Sequence, residues 1–264
     1  MDSTDLHWVL MKEAAEQTAQ ELGAEFVFMA PAVKDEALQI EQVNNAVARG
    51  CDAIVVAAYG PDSIIAALRE AQEAGIKIVY VDAPANLEAE ATVATDNYGG
   101  GCMAAETMLE VLKEQNITSG KIGIVNVSAS VTSCLNRENG FRDAMEGAGY
   151  TLLEAQYCDG DASKVQTIAE NFITQGCVAI YGCNEGCTVG TGNAIKASES
   201  DCICVGFDVS DAIRWLIDDG FVYATMVQDP ETMGKLSMEA AMDALNGKEL
   251  GGLAIDTGVS VLKK

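Results

Sequence analysis

The chain has 264 residues, 49% of them hydrophobic, and a formal net charge of −24. That length fits two domains of ordinary size or one large one, and its aliphatic content supplies a core and excludes wholesale disorder. With 40 Asp and Glu against 16 Lys and Arg, no basic face is visible for nucleic acid, and the net charge repels phosphates and anionic lipids.

Met1-Asp2-Ser3 runs straight into helical spacing at Leu6, Val9, Leu10 and Ala14, with neither a signal peptide nor a strand ahead of it. A start of this kind reads as an incomplete chain, so the missing signal leaves the compartment open. No later run approaches the roughly 20 apolar residues needed to span a bilayer. A repeated unit follows, in which a helical stretch ends at a glycine and an apolar strand begins. The predicted strands of this unit are Glu25 to Phe28, Ala53 to Val56, Ile76 to Val81, Tyr150 to Leu153, Val178 to Tyr181 and Phe221 to Ala224. Glycine closes a helix in a left-handed turn at least steric cost. Helix and strand alternating at this spacing mean βαβ units and a mostly parallel sheet.

The helices between them carry apolar stripes. One runs through Ala37, Ile40, Val43 and Val47. Asp62-Ser63 is a predicted cap for Ile64 to Leu68. Gly99-Gly100-Gly101 reads as a loop that opens the helix of Met103, Met108 and Leu112. A last helix carries Met233, Leu236, Ala240 and Leu245.

Two apolar strands stop at an aspartate, one in each half: Ile76 to Val81 at Asp82, and Cys202 to Phe207 at Asp208. A strand apolar on both faces is covered on both, and ligands of such sheets sit outside the carboxyl ends of the strands. Each aspartate has two readings, a ligand-facing carboxylate or a cap for the next helix.

Nine cysteines leave at least one that cannot pair within the chain. Five lie between 177 and 204, but without a C-x-x-C spacing, and His7 is the only histidine. Most read as small buried hydrophobes, and no metal is expected. Phosphate-loop, dinucleotide and nucleophile-elbow motifs are absent, so no cofactor is expected and enzyme chemistry is disfavoured.

Several fragments, in order, carry a resemblance over nearly the whole chain. They are Trp8 to Ala15, Val81-Asp82, Asp96 to Gly100, Arg137 to Phe141, Cys183-Asn184-Glu185, Val205 to Asp208, and Ala224 to Asp229. Together they resemble the periplasmic sugar-binding family typified by ribose-binding protein, whose fold is shared by the ligand domains of lactose-repressor-type regulators. The resemblance implies an α/β protein of periplasmic-binding-protein type I: two doubly wound parallel-sheet lobes joined by a three-strand hinge and closing on a ligand in the cleft. It places one lobe at 1–95 plus 229–256 and the other at 96–228 plus 257–264. The family's strand before the first helix is missing, which should leave a gap in the first sheet.

The implied ligand-binding residues are Trp8, Asp82, Arg137, Asn184, Asp208 and Gln228, with His7 and Asp5 as further candidates. A sugar needs acceptors, donors and a flat apolar wall, and this set contains all three. The alternatives are a core role for Trp8, hinge-backbone bonding for Gln228, and surface pairing of Arg137 with Glu138 or Asp143. Against ribose-binding protein, Ala83 replaces a second arginine, Ala57 replaces an asparagine, His7 replaces an aromatic, and an aromatic is lost near Asp159-Gly160-Asp161. These departures point away from ribose and toward another polyol, a substituted sugar or an amine-bearing ligand. The implied function is that of the solute receptor of an ABC-type importer, a monomer with a membrane permease as partner, periplasmic or extracellular and membrane-anchored. The other readings are the sensing half of a regulator that lacks its DNA-binding part, and an enzyme using the two carboxylates.

Overall fold

The computed structural model describes residues 6–31, 35–129, 131–158 and 161–264. In chain order the elements begin with α1 (Leu6–Glu21), α2 (Glu36–Ala48), β1 (Ala53–Val56), α3 (Ile65–Glu73), β2 (Lys77–Val81) and β3 (Ala91–Ala94). There follow α4 (Asn97–Glu114), β4 (Gly120–Asn126), α5 (Thr132–Ala144), β5 (Tyr150–Leu152), β6 (Gln156–Tyr157), α6 (Ala162–Thr174) and β7 (Cys177–Gly182). The last are α7 (Glu185–Ala197), β8 (Ile203–Phe207), α8 (Asp211–Asp218), β9 (Ala224–Gln228), α9 (Pro230–Leu245), β10 (Leu253–Asp256) and β11 (Val259–Lys263). They form two compact units, one running to Thr95 and resuming over Asp229–Gly258, the other Asp96–Gln228 with Val259–Lys264. The chain therefore passes from one unit to the other three times.

The first unit holds a sheet in the order β1-β2-β3-β10, parallel throughout. One face carries α2 and α3 over Val43, Ile54, Leu68, Ile78 and Tyr80. The other packs α9 and α1 through Val79, Ala91, Ala240, Met11 and Met233. The second unit holds β11-β9-β8-β7-β4-β5, with β6 also on β4; only the β11–β9 pair is antiparallel. Every residue of β8 is buried, as a strand covered on both faces must be. Phe141, Tyr181 and Phe207 fill one layer of this unit, and Phe172, Ile180 and Leu216 the other.

Four local expectations are corrected. Gly99-Gly100-Gly101 is not a loop but lies inside α4, whose cap is Asp96, with Oδ1 accepting from the Gly99 N–H at 2.9 Å. The glycines serve close packing: a Cβ on Gly101 would fall 2.1 Å from the backbone oxygen of Arg137 in α5. Asp62-Ser63 does not cap α3; Ser63 bonds back to the Gly60 carbonyl and Asp62 accepts from Asn86. The strand expected at Phe221 to Ala224 starts only at Ala224, because Val222 still bonds to Leu216 at the end of α8.

The fourth is Glu25 to Phe28, which forms no strand. A strand exists only with a neighbour about 4.8 Å away. Among the described residues β1 pairs on one side only, with β2. A cavity of about 640 Å³ is lined by Phe26, Val27 and Phe28 together with Val55, Ala57 and Met11. Val27 and Phe28 are left exposed.

Candidate functional site

In the second unit the candidate groups gather at the carboxyl end of β8. Asp208 follows the strand with φ +70, a left-handed conformation rare for residues other than glycine and found at functional sites. Its backbone N–H bonds to the Met226 carbonyl at 2.7 Å. Gln228 Nε2 donates to Asp208 Oδ1 at 2.6 Å, and the Glu185 N–H donates to Oδ2 at 3.1 Å. Arg137 Nη1 lies 3.6 Å from the same Oδ2. Helix α8 is capped by Ser210, so Asp208 is not the cap of the helix that follows it.

Arg137 projects from α5 and is 4% exposed. Its Nε donates to Asn97 Oδ1 at 2.8 Å and its Nη1 to the Cys183 carbonyl at 3.1 Å. The guanidinium lies 3.8 Å from the centroid of the Phe207 ring, a cation–π contact. The surface partners weighed for it are engaged elsewhere: Glu138 binds Arg142 and Asn126, and Asp143 accepts from the Tyr98 hydroxyl. Asn184 is the N-cap of α7, its Oδ1 accepting from the Cys187 N–H at 2.9 Å.

In the first unit Asp82 ends β2 just as Asp208 ends β8. Its φ is +63, and its N–H bonds to the Val93 carbonyl at 2.8 Å. The Ala83 N–H closes a tight turn onto the Val81 carbonyl at 2.7 Å. Here the neighbouring group is His7, with Nε2 3.4 Å from Asp82 Oδ1, charged only if protonated. Trp8 stands edge-on to His7, with ring centroids 4.8 Å apart, and packs against the Met11, Val81 and Met233 cluster. The Ala57 carbonyl is taken by Gln39 Nε2 at 2.8 Å. Asp5 lies outside the described residues, as do Asp159 and Gly160 of the lost-aromatic segment.

The structure thus brings Arg137, Asp208 and Gln228 together in one unit, with Asn184 at the start of the neighbouring helix, and His7, Trp8 and Asp82 together in the other. Sequence reasoning missed Asn97 and the Phe207 ring as the seat of Arg137. Asn97 stood in a fragment of the resemblance but without a role, and Phe207 reads as one more apolar residue of a strand. No disulfide joins any of the nine cysteines, and seven of them are buried. Burial raises the Cys183 thiol well above its ordinary range. Among the described residues no cluster of His, Cys, Asp and Glu is placed to hold a metal, and no helix is long and apolar enough to cross a membrane.

Two doubly wound parallel-sheet units with three chain crossings and an aspartate at a strand end in each define the type I periplasmic binding-protein class. The chain belongs to the family described as periplasmic binding protein domain, which matches residues 1–249. It is 30% identical over 247 residues to the ribose import binding protein of Bacillus subtilis (strain 168), covering 92% of this chain and 79% of that protein. It is 25% identical to the D-ribose/D-allose-binding protein of Pseudomonas aeruginosa, over 91% of this chain and 79% of that protein. An ABC transporter solute-binding protein from Agrobacterium vitis, solved with bound D-fucose, superposes with a TM-score of 0.88 at 26% identity, covering 100% of this chain and 93% of that one. A carbohydrate transporter solute-binding protein from Agrobacterium radiobacter, in complex with D-arabinose, gives 0.90 at 25% identity, over 100% and 92%.

Proposed function

We propose that this protein is the solute receptor of an ABC-type importer, binding a sugar or sugar-like polyol and delivering it to a membrane permease. The observation that carries the reading is the Asp208 constellation. A carboxylate on a left-handed backbone position meets an amide, a backbone N–H and a buried arginine seated on an aromatic ring. A sugar hydroxyl is both donor and acceptor, and such a set answers both roles with charge-assisted bonds. Asp82 gives the first unit a matching acceptor, and Trp8 supplies a flat apolar surface. The named relatives include a ribose import binding protein, a D-ribose/D-allose-binding protein and an ABC transporter solute-binding protein with bound D-fucose, which favours transport over the sensing half of a regulator.

Binding proceeds without turnover, and the protein works as a monomer outside the cytoplasmic membrane. Differential affinity for loaded and empty forms is what a permease reads. Micromolar affinity corresponds to about −8 kcal/mol. The test is a thermal-shift screen over pentoses, hexoses, polyols and amino sugars. At a ligand concentration of about 100 Kd, binding adds about 2.7 kcal/mol. For units of this size that raises Tm by roughly 5–10 °C. A panel without any shift at millimolar concentration would reject the reading.

A further inference from the structure

Pairing of β7 with β8 ends at Tyr181 and Val205. Two residues further on, Phe207 has lost its β7 neighbour, and a side chain takes that place. Thr188, one turn into α7 and fully buried, accepts the Phe207 N–H on Oγ1 at 3.0 Å. Its one hydroxyl proton has two acceptors in reach, the Asn184 carbonyl at 2.8 Å and the Phe207 carbonyl at 3.0 Å. The hydroxyl therefore stands in for a strand and ties the start of α7 to the residue before Asp208. On the other side, fully buried Thr225 donates from Oγ1 to the Asp208 carbonyl at 2.7 Å. Gly206 belongs to the same arrangement: a Cβ there would lie 2.2 Å from Thr188 Cγ2. β8 carries glycine where Thr188 presses on it.

A non-glycine residue at φ +70 costs free energy and persists only when its surroundings over-determine it. We propose that Thr188 and Thr225 are positioning residues that hold Asp208 in this conformation and fix its place relative to Asn184, and so set the ligand affinity of the second unit. The proposal rests on the sugar-binding reading above. Both hydroxyls are buried and spent on backbone groups, so they act through Asp208 and Asn184 and not on the ligand.

The test compares Thr188→Val, which keeps the shape and removes the hydroxyl, with Thr188→Ser, which keeps the hydroxyl. Calorimetry with D-ribose, D-allose, D-arabinose and D-fucose reads Kd, and hydrogen exchange reads the Asp208 amide in the free protein. Leaving the Phe207 N–H without an acceptor should weaken Kd of Thr188→Val by about tenfold or more and speed Asp208 exchange by a similar factor. Thr188→Ser should stay within about threefold of the parent protein in both. Thr225→Val should move both readouts in the same direction as Thr188→Val, and it carries the test, with Thr225→Ser as its rescue, if Thr188→Val does not fold. A folded Thr188→Val with parental Kd and parental exchange at Asp208 would overturn the proposal. If the parent protein binds none of the four sugars, Kd is compared with the pentose, hexose, polyol or amino sugar that the thermal-shift panel picks out, and the exchange rates decide whether the hydroxyls hold Asp208; a panel without any shift fails the sugar reading and leaves the exchange test standing.

Discussion

Replacing Asp208 separates its carboxylate from its backbone, because asparagine also tolerates a left-handed conformation. Asp208→Asn keeps one oxygen to accept from Gln228 or Glu185, but it removes the negative charge beside Arg137. A hydrogen bond from a sugar hydroxyl to a charged acceptor contributes about 1.5–3 kcal/mol. Its loss weakens Kd roughly 10–150-fold. Asp208→Ala removes the acceptor altogether and also places alanine at φ +70, a conformation that costs roughly 1–2 kcal/mol for an ordinary residue. The alanine variant should therefore abolish detectable binding and melt lower, while the asparagine variant loses affinity with Tm little changed. Asp82→Asn and Asp82→Ala should repeat the pattern, since Asp82 shares the conformation at φ +63. Isothermal titration gives the affinity and a thermal scan gives the stability. Parental affinity in both alanine variants would refute the assignment of the two strand ends.

Other outcomes follow from packing and burial. A chain that carries an apolar strand of about five residues and a short turn ahead of Leu6 should fill the cavity beside β1 and pair with the Phe26 to Met29 run. Burying Val or Ile side chains at about 1.5–3 kcal/mol each, with new ladder bonds to β1, offsets backbone ordering of about 1–2 kcal/mol per residue, so Tm should rise; equal melting temperatures refute it. Burial pushes the Cys202 thiol up to about 12 and raises Cys183 and Cys204 above their ordinary range; Cys51 and Cys102 are raised by burial too, but they are only partly buried. An aromatic disulfide reagent at pH 8 should therefore reach those two ahead of the seven buried thiols in the native protein, and all nine in denaturant. More than two fast native thiols would contradict that ordering. Gly101→Ala drives a methyl into the Arg137 carbonyl and should destabilise the second unit by about 1–3 kcal/mol while weakening sugar binding, both read from denaturant melts and titration.

The parallel α/β architecture was legible because its signals are local and repeated. A glycine ending each helix and a short apolar run after it suffice to mark βαβ units. The same local logic failed where a partner decides the outcome. Glu25 to Phe28 has strand composition, yet it remains unpaired, because a ladder needs a neighbour and composition does not supply one. Val222 has strand composition too, but its N–H stays with Leu216. The glycines of α4 read as a loop because only the spatial neighbour Arg137, 36 positions on, shows why side chains cannot stand there. The candidate groups themselves were named from the resemblance, and the residues that seat them were not. Asn97, Phe207, Thr188 and Thr225 act on Arg137 and Asp208 across the fold, through bonds between residues 17 to 40 positions apart or through a ring contact.

The two aspartates share position, conformation and backbone bonding, so the difference between the units lies in what faces each carboxylate. Asp208 has a permanent cation in Arg137, held by Asn97, the Cys183 carbonyl and the Phe207 ring, together with the Gln228 amide. Asp82 has His7, which bears charge only when protonated, and beside it Ala83 offers only its backbone. On the proposed reading, a ligand group brought against the Asp82 carboxylate binds by donating, through hydroxyls or an ammonium group, whereas at Asp208 the donors already in place favour a ligand that also accepts. On the proposed sugar-binding reading, amino sugars and hydroxyl-rich polyols should therefore bind more tightly than deoxy analogues that lack a donor for Asp82, read by titration; equal affinities would refute it.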